Sequence, residues 1–337
     1  MSENLRAADR SVAVIGAGLS GLIAARRLRA SDVAAVVFDK GRGVGGRMST
    51  RRTPGEARFD HGAQYFTVRD ERFRTQAHDW LEAGVVAPWH GRIAVIEGGG
   101  IRTSPILRDR FVGVPGMNAV CKHLADGLDV RCGVGVGAVE RVGSRWRLTD
   151  DAGSSLGEFD QILSTAPAPQ TAALLAAVPG VAAAAAQVQM HQCWAVMAEF
   201  DAPLLAEFDG AFVNEGPLSW LARDTSKPGR VALAGGDCWV LHGSHAWSAA
   251  HLDAAPEEVA RKLLAAFFVA ARVSPAPTRS LVAHRWLYSS PVEPRPERFL
   301  RDDRLQAYAA GDWCGGPRVE GAFLSGLSAA EAMLGLA

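Results

Sequence analysis

The chain has 337 residues, and its 36 basic side chains balance 36 acidic ones. That length exceeds one ordinary core and predicts two domains of roughly 150 residues each. The zero net charge excludes a dedicated nucleic-acid binder or a polybasic membrane-surface protein, and 48% hydrophobic residues exclude disorder.

Residues 11–15 are an apolar run that predicts a strand, and Gly16-Ala-Gly18-Leu19-Ser20-Gly21 follows directly. Helical spacing over 19–30 and a second apolar run over 34–38, ending in Asp39, complete a β-α-β unit. A glycine- and arginine-rich loop spans 41–52, and 59–66 reads as loop and short strand. Helical spacing recurs over 73–82 and 115–126, with strand and turn material over 89–106 between them. Residues 130–142 and 145–149 predict paired strands around a Gly143-Ser144 turn, and 159–164 a buried strand. An alanine-rich helix then leads to strands over 193–200, 211–214, 218–223 and 231–234. A helix covers 256–271, a strand region 278–288, a last strand 305–310 and a closing helix 320–336.

Five cysteines (121, 132, 193, 238 and 314) make an odd number, with no C-x-x-C pair and no zinc-type cluster. Neither a disulfide scaffold nor a metal site is expected, and a reducing cytoplasm is the expected compartment. The polar first ten residues predict no secretory signal. The alanine-rich stretch 174–188, broken at Pro179-Gly180, is too weakly apolar to span a bilayer.

The glycine motif has a mechanical reading. Gly16 permits a tight turn, Gly18 lets a pyrophosphate approach a helix N-terminus, and Gly21 lets helix and strand pack closely. Asp39, 18 residues after Gly21, is placed to accept from a ribose 2′-OH. A bound dinucleotide is expected, and the motif by itself leaves NAD and FAD open. Gly43-Val-Gly45-Gly46-Arg47, running into Met48, adds a close backbone approach and a bidentate donor suited to a diphosphate.

Gly16 to Gly21 with Asp39-Lys40, then Gly45-Gly46-Arg47-Met48, resemble the FAD-binding motifs of the flavin amine oxidase superfamily. Phe59-Asp60-His61-Gly62-Ala63-Gln64-Tyr65-Phe66 resembles the bacterial renalase-like branch, as do Thr165-Ala-Pro-Ala-Pro-Gln170, Cys193-Trp194-Ala195-Val196 and His284-Arg285-Trp286-x-Tyr288. Ala310-Gly311-Asp312-Trp313, with Val319-Glu320-Gly321-Ala322, is similar to the closing FAD motif. The resemblance covers essentially the whole chain. It implies non-covalent FAD, with Val136 meeting the adenine and Gly62, Ala63, Gln64 and Tyr65 lining the isoalloxazine. His61 is expected beside them as a structural hydrogen-bonder. Asp312 is expected to reach the ribityl or phosphate groups, and the helix from Glu320 to face the flavin O2/N1 edge.

The implied fold is α/β: a Rossmann-type FAD-binding domain of the glutathione-reductase-like class, interleaved with an α+β substrate domain on a mixed or antiparallel sheet. The expected FAD domain takes 1–70, 105–170 and 300–337, and the substrate domain 71–104 and 171–299.

Over the flavin the candidates are aromatic. Alternation puts His284, Trp286 and Tyr288 on one strand face and Arg285 on the other. Trp194 and Trp220, on other expected strands, are candidate walls for a flat substrate, with plain core packing as the competing reading. Many flavin amine oxidases carry an active-site lysine, but this chain has four lysines in all. Lys40 belongs to the nucleotide loop, Lys122 and Lys262 to helices, and Lys227 to a Ser-Lys-Pro-Gly turn expected to be exposed. None is expected to face substrate. Met190-His-Gln192-Cys193-Trp194 occupies that lysine's region, with Gln192 where the branch usually has proline.

The resemblance therefore implies a donor needing little acid–base help: 2- or 6-dihydro-NAD(P), oxidised by hydride transfer to flavin N5. O2 is the implied acceptor, giving NAD(P)+ and H2O2. His284 and Tyr288 are expected to position the substrate. Three other readings stay open: an amine oxidase or desaturase-like dehydrogenase, a non-catalytic flavin-binding regulatory protein, and covalent flavin at Cys314. No nucleic-acid or membrane partner is expected, and the chain is expected to be a monomer or homodimer.

Overall fold

In a computed structural model, residues 10–53, 57–106, 108–230 and 235–336 are described. The strand Ser11–Ile15 is apolar on both faces and nearly all buried, which suits the middle of a parallel sheet. It pairs in parallel with Ala34–Asp39 on one side and Gln161–Ser164 on the other. Asp129–Cys132 and Ala307–Ala309 extend this sheet in parallel, and Leu300–Asp302 closes its edge antiparallel. The helix Leu19–Arg29 makes the crossover and packs on the closing helix Val319–Met333. That contact is backbone-close: a Cβ on Gly326 would lie 2.1 Å from the Ser20 carbonyl oxygen.

The expected strand 130–142 is two strands. Its first part, Asp129–Cys132, joins the parallel sheet, whereas Val136–Val142 pairs antiparallel with Arg145–Asp150 and Ser155–Phe159. Gly133 turns the chain between them with φ +74. The N–H groups of Gly133 and Val134 donate to the carbonyls of Gly41 and Asp39 and anchor the turn on the nucleotide loop.

The second layer is a mixed sheet of seven strands. In spatial order these are Thr278–Pro291, Met190–Phe200, Asp237–Gly243, Leu218–Arg223, Gly210–Val213, Ile93–Glu97 and Gly100–Thr103. All pairings are antiparallel except Gly210–Val213 with Ile93–Glu97. The helix Pro256–Ala271 covers the far face, burying Val259, Leu263 and Phe267 against Val196, Trp239 and Leu241. The strand Asp237–Gly243 was not expected, and the expected strand 231–234 lies outside the described residues. Gln192 sits at a register shift between His191 and Cys193, a bulge in the strand.

Two segments between the sheets pack against elements of the nucleotide-binding portion. The helix Glu71–Glu82 buries Phe73, Ala77 and Trp80 in the cluster that holds Leu22, Val37 and Phe323. Residues 171–190 bury Leu175, Val178, Ala185 and Met190 against Ile162, Ala309 and Trp313.

Candidate active site

A cavity of about 1390 Å³ separates the carboxyl edge of the parallel sheet from the inner face of the seven-stranded sheet. Pockets for one small ligand run to about 300–1,000 Å³, so this space suits a dinucleotide with a second molecule beside it.

One end is built from the glycine turn. Gly16, Gly18, Leu19 and Ser20 line it. The helix Leu19–Arg29 has no side-chain cap, so its first N–H groups are free to meet an anion. A Cβ on Gly18 would meet nothing within 4 Å, and one on Gly21 would lie 2.0 Å from the Gly16 carbonyl oxygen. Gly18 is therefore glycine for a guest and Gly21 for the fold. Asp39 and Lys40 also line this end. The Asp39 carboxylate accepts from the N–H groups of Ala17 (2.6 Å) and Gly41 (2.7 Å), which ties the glycine turn to the strand beside it. Val136 lines the wall together with Val134 and Asp151.

Gly45, Gly46, Arg47 and Met48 continue the lining. Arg47, expected to grip a diphosphate, lines the cavity with its guanidinium also held by the protein. It forms a bidentate pair with Asp312 at 2.8 and 2.6 Å and also donates to the Ser289 carbonyl at 3.2 Å. Arg47 thus joins the nucleotide loop to the C-terminal motif and the long strand Thr278–Pro291. Asp312 and Gly311 line the cavity, followed by Val319, Glu320 and Ala322. The closing helix also lacks a side-chain cap, leaving its first N–H groups and dipole facing the space. Glu320 accepts from the N–H groups of Arg69 (2.6 Å) and Asp70 (2.8 Å), so it fixes a neighbouring segment. Gly321 faces the Gly316 backbone instead of the cavity, where a Cβ would lie 2.0 Å from the Gly316 carbonyl oxygen.

Gly62, Ala63 and Tyr65 line the middle, while His61 and Gln64 are buried behind them. The His61 carbonyl accepts from Trp286 Nε1 at 2.9 Å and contacts His242 Nε2 at 3.1 Å. Its ring stacks on Trp286, with centroids 5.0 Å apart, and meets His284 edge-on at 4.9 Å. His61 therefore orients the wall rather than forming its surface.

That wall comprises His284, Trp286 and Tyr288 with Cys193, Phe212, Ser219, His242 and His245. Burial, reinforced by the charges of His284 and Arg51, lowers His61 to about 3. Burial lowers His242 to about 4. His284 is also lowered, by burial and then by Arg51. The imidazoles around the wall are neutral at pH 7 and weak proton acceptors.

Neither tryptophan expected as a substrate wall reaches the cavity. Trp194 is 2% exposed in the core under Pro256–Ala271, and its Nε1 donates to the His251 carbonyl at 3.0 Å. Trp220 backs Phe212 (4.7 Å) and Tyr65 (5.5 Å), which carry the surface in its place. A two-residue alternation argument sees which face a ring takes but not which face meets the cavity. His242, Ser219 and Phe212 were missed because their strands pair over long sequence separations.

Lys227 was expected on an exposed turn, yet its side chain is 0% exposed. Its ammonium lies 2.5 Å from Asp224, 3.1 Å from Gln64 Oε1 and 3.7 Å from Asp60. Arg230 pairs with the same Asp60 oxygen, Oδ2. Two carboxylates and two cations thus balance in a buried quartet beneath the 60–65 loop. Burial alone would raise the Asp60 carboxyl, but Lys227 and Arg230 hold it below its ordinary value. Burial raises Asp224 in spite of Lys227. Among the described residues Lys40 is the lysine lining the cavity. Cys314 is buried outside the lining, its thiol pushed up by burial, which opposes a covalent attachment there. Among the described residues no cluster of His, Cys, Asp and Glu is arranged to hold a metal, and no helix is long and apolar enough to cross a membrane.

Residues 14–78 match an NAD(P)-binding Rossmann-like domain, and residues 90–334 match flavin containing amine oxidoreductase. Among solved structures, an Exiguobacterium sp. 255-15 protein with a provisional protoporphyrinogen oxidase assignment is similar at 15% identity and TM-score 0.77, over 97% of this chain and 99% of that one. Cyclohexylamine oxidase from Brevibacterium oxydans IH-35A is similar at 15% identity and TM-score 0.74, over 96% and 98%. Putrescine oxidase bound to putrescine is similar at 15% identity and TM-score 0.68, over 97% and 99%. At such identities the likeness is one of fold.

Proposed function

This chain belongs to the flavin containing amine oxidoreductase family and is an FAD-dependent oxidoreductase, and we propose that its substrates are aberrant dihydronicotinamides, the 2- or 6-dihydro isomers of NAD(P)H. FAD fits the residues present: open backbone at Gly18, two uncapped helix N-termini and the Asp39 carboxylate all face the cavity. When bound, FAD supplies a two-electron acceptor that O2 can return to its oxidised state.

The carrying observation is the wall supplied by the seven-stranded sheet. Its lining residues include Cys193, Phe212, Ser219, His242 and residues 284–290, with no carboxylate and no lysine among them. A primary amine reaches pH 7 as a cation and must lose a proton before oxidation. Here it would meet weakly basic imidazoles and, farther along the cavity, Arg69, Arg108 and Arg110. A dihydronicotinamide is already a hydride donor and needs only orientation. In the net reaction the donor gives up a hydride and becomes aromatic NAD(P)+, while O2 takes the two electrons and one proton of that hydride and a second proton from solvent to form H2O2. Trp286 and Tyr288 offer flat surfaces for the ring, and neutral His284 offers a hydrogen bond without a competing charge.

The test is a visible spectrum of the purified protein, then anaerobic mixing with dihydronicotinamide isomers and with amines. Rapid bleaching by a 2- or 6-dihydro isomer, followed by stoichiometric H2O2 on admitting air, is the expected result. Bleaching by amines alone would overturn the proposal, and so would a protein without a yellow chromophore.

A further inference from the structure

The cavity is lined by a buried arginine, Arg110, that has no carboxylate partner among the described residues. Arg110 is 9% exposed, and its guanidinium lies 5.3 Å over the Tyr65 ring. Its side-chain hydrogen bonds are long, from Nη1 to the Arg108 carbonyl at 3.4 Å and from Nη2 to the Ile106 carbonyl at 3.5 Å. Its Nε is buried without a partner. No carboxylate of the described residues pairs with it. Other arginines drawn into the molecule are paired: Arg47 with Asp312, Arg230 with Asp60, and Arg223 with Asp209 and Asp237. A guanidinium held out of water with only neutral contacts is unfavourable unless an anion completes it.

Two further cations share that end of the cavity. Arg108 and Arg69 line it, both exposed and neither paired with a carboxylate of the described residues. Glu320 is not a counter-ion for them, because its carboxylate receives the backbone N–H groups of Arg69 and Asp70. Nor is this cluster needed for the cofactor, whose diphosphate has the uncapped N-terminus of Leu19–Arg29. One cavity therefore joins a flat, neutral wall at His284, Trp286 and Tyr288 to a triply cationic end.

We propose that Arg110, with Arg108 and Arg69 at the mouth, anchors a phosphate of the substrate, so that the enzyme selects nucleotide donors over phosphate-free rings. The inference rests on the dihydronicotinamide reading and names the part of that substrate which sets specificity. Arginine suits the task because its planar fork binds phosphate oxygens in pairs. The partner chemistry is a phosphate or diphosphate monoanion or dianion; a carboxylate of similar charge is the competing ligand in the test.

The experiment uses the FAD-loaded enzyme and two readouts. Oxidised enzyme is titrated with NAD+, inorganic pyrophosphate and succinate while the flavin absorbance is followed. Enzyme is then reduced anaerobically by 6-dihydro-NAD and by 6-dihydro-N-methylnicotinamide, which has no phosphate. Arg110→Gln is expected to weaken 6-dihydro-NAD at least tenfold more than the phosphate-free donor, with Arg110→Lys intermediate. It is also expected to abolish saturable perturbation by NAD+ and pyrophosphate. Should Arg110→Gln fail to retain flavin, Arg108→Gln carries the test, with an expected two- to threefold selective loss. Equal losses on both donors, unchanged NAD+ binding, or succinate perturbing the flavin as strongly as pyrophosphate would overturn the anchor. If no dihydronicotinamide reduces the flavin, the proposed function fails, while an Arg110-dependent pyrophosphate perturbation would still establish the phosphate site.

Discussion

Replacing Lys227 by Met should destabilise the holoprotein by about 3–5 kcal/mol, although the residue lies outside the cavity. The magnitude comes from charge balance. Asp60 and Asp224 are countered by Lys227 and Arg230, and the side chains of Lys227, Asp224 and Asp60 are all 0% exposed. Methionine fills a similar volume but leaves one buried carboxylate without its cation. The Gln64 oxygen loses its donor at the same time. An unfolding entropy of about 2.1 cal/mol/K per residue gives roughly 0.7 kcal/mol/K for 337 residues, so the melting temperature should fall by about 4–7 °C. The double variant K227M/D224N removes one charge of each sign and should recover at least half of that loss. Thermal unfolding followed by near-UV circular dichroism, with equal excess FAD in every sample, measures both. A K227M melting point within 2 °C of wild type would refute the reasoning, as would a double variant weaker than the single. Because Asp60 N–H donates to Asp224 at 2.7 Å, K227M should also loosen the loop carrying Gly62, Ala63 and Tyr65, and flavin should dissociate faster.

Three further outcomes are expected. Gly62→Ala should lose flavin affinity by more than tenfold in a fluorescence titration, because its Cβ would lie 2.1 Å from the Arg47 carbonyl oxygen and push apart two cavity-lining loops. Combining His284→Gln with Tyr288→Phe should raise the apparent Kd for a dihydronicotinamide several-fold without displacing the pH profile of flavin reduction, since neither residue works as an essential base; full activity at unchanged affinity would contradict the positioning role. Stability should fall as pH drops below the unfolded histidine value of about 6.5, because His61 and His242 stay neutral in the fold until about 3 and about 4. Each contributes up to about 1.4 kcal/mol per pH unit in that window. Urea midpoints at pH 7, 6 and 5 should show the slope, and His242→Gln should make it shallower.

The local pattern already carried the cofactor half of the molecule. A strand, G-x-G-x-x-G, a helix and a terminal acid constrain one another over fewer than 30 residues, so Gly16, Gly18, Asp39 and the 45–48 loop line the cavity where the motif places them. The rise of one helix and the twist of two strands leave that unit little freedom. Alternation along one strand is likewise a short-range rule, but it does not by itself say which residues meet the cavity: Arg285 and Leu287 line it as well as His284, Trp286 and Tyr288.

What tertiary structure decided are the partnerships made over long sequence separations. Trp194 and Trp220 carry as strong an aromatic signal as Trp286, yet the helix Pro256–Ala271 and the ring of Tyr65 claim their faces. Lys227 reads as a solvent-exposed turn until Asp60, more than 160 residues earlier, is folded beneath it. Arg47 lines the cavity as its loop motif suggests, but its pairing with Asp312 from the other end of the chain, at 2.6 Å, is not in that motif. Charge and hydrogen-bonding capacity are properties of a residue and can be read from its letter. Which partner satisfies them depends on where the chain returns, and that is set by the packing of the two sheets.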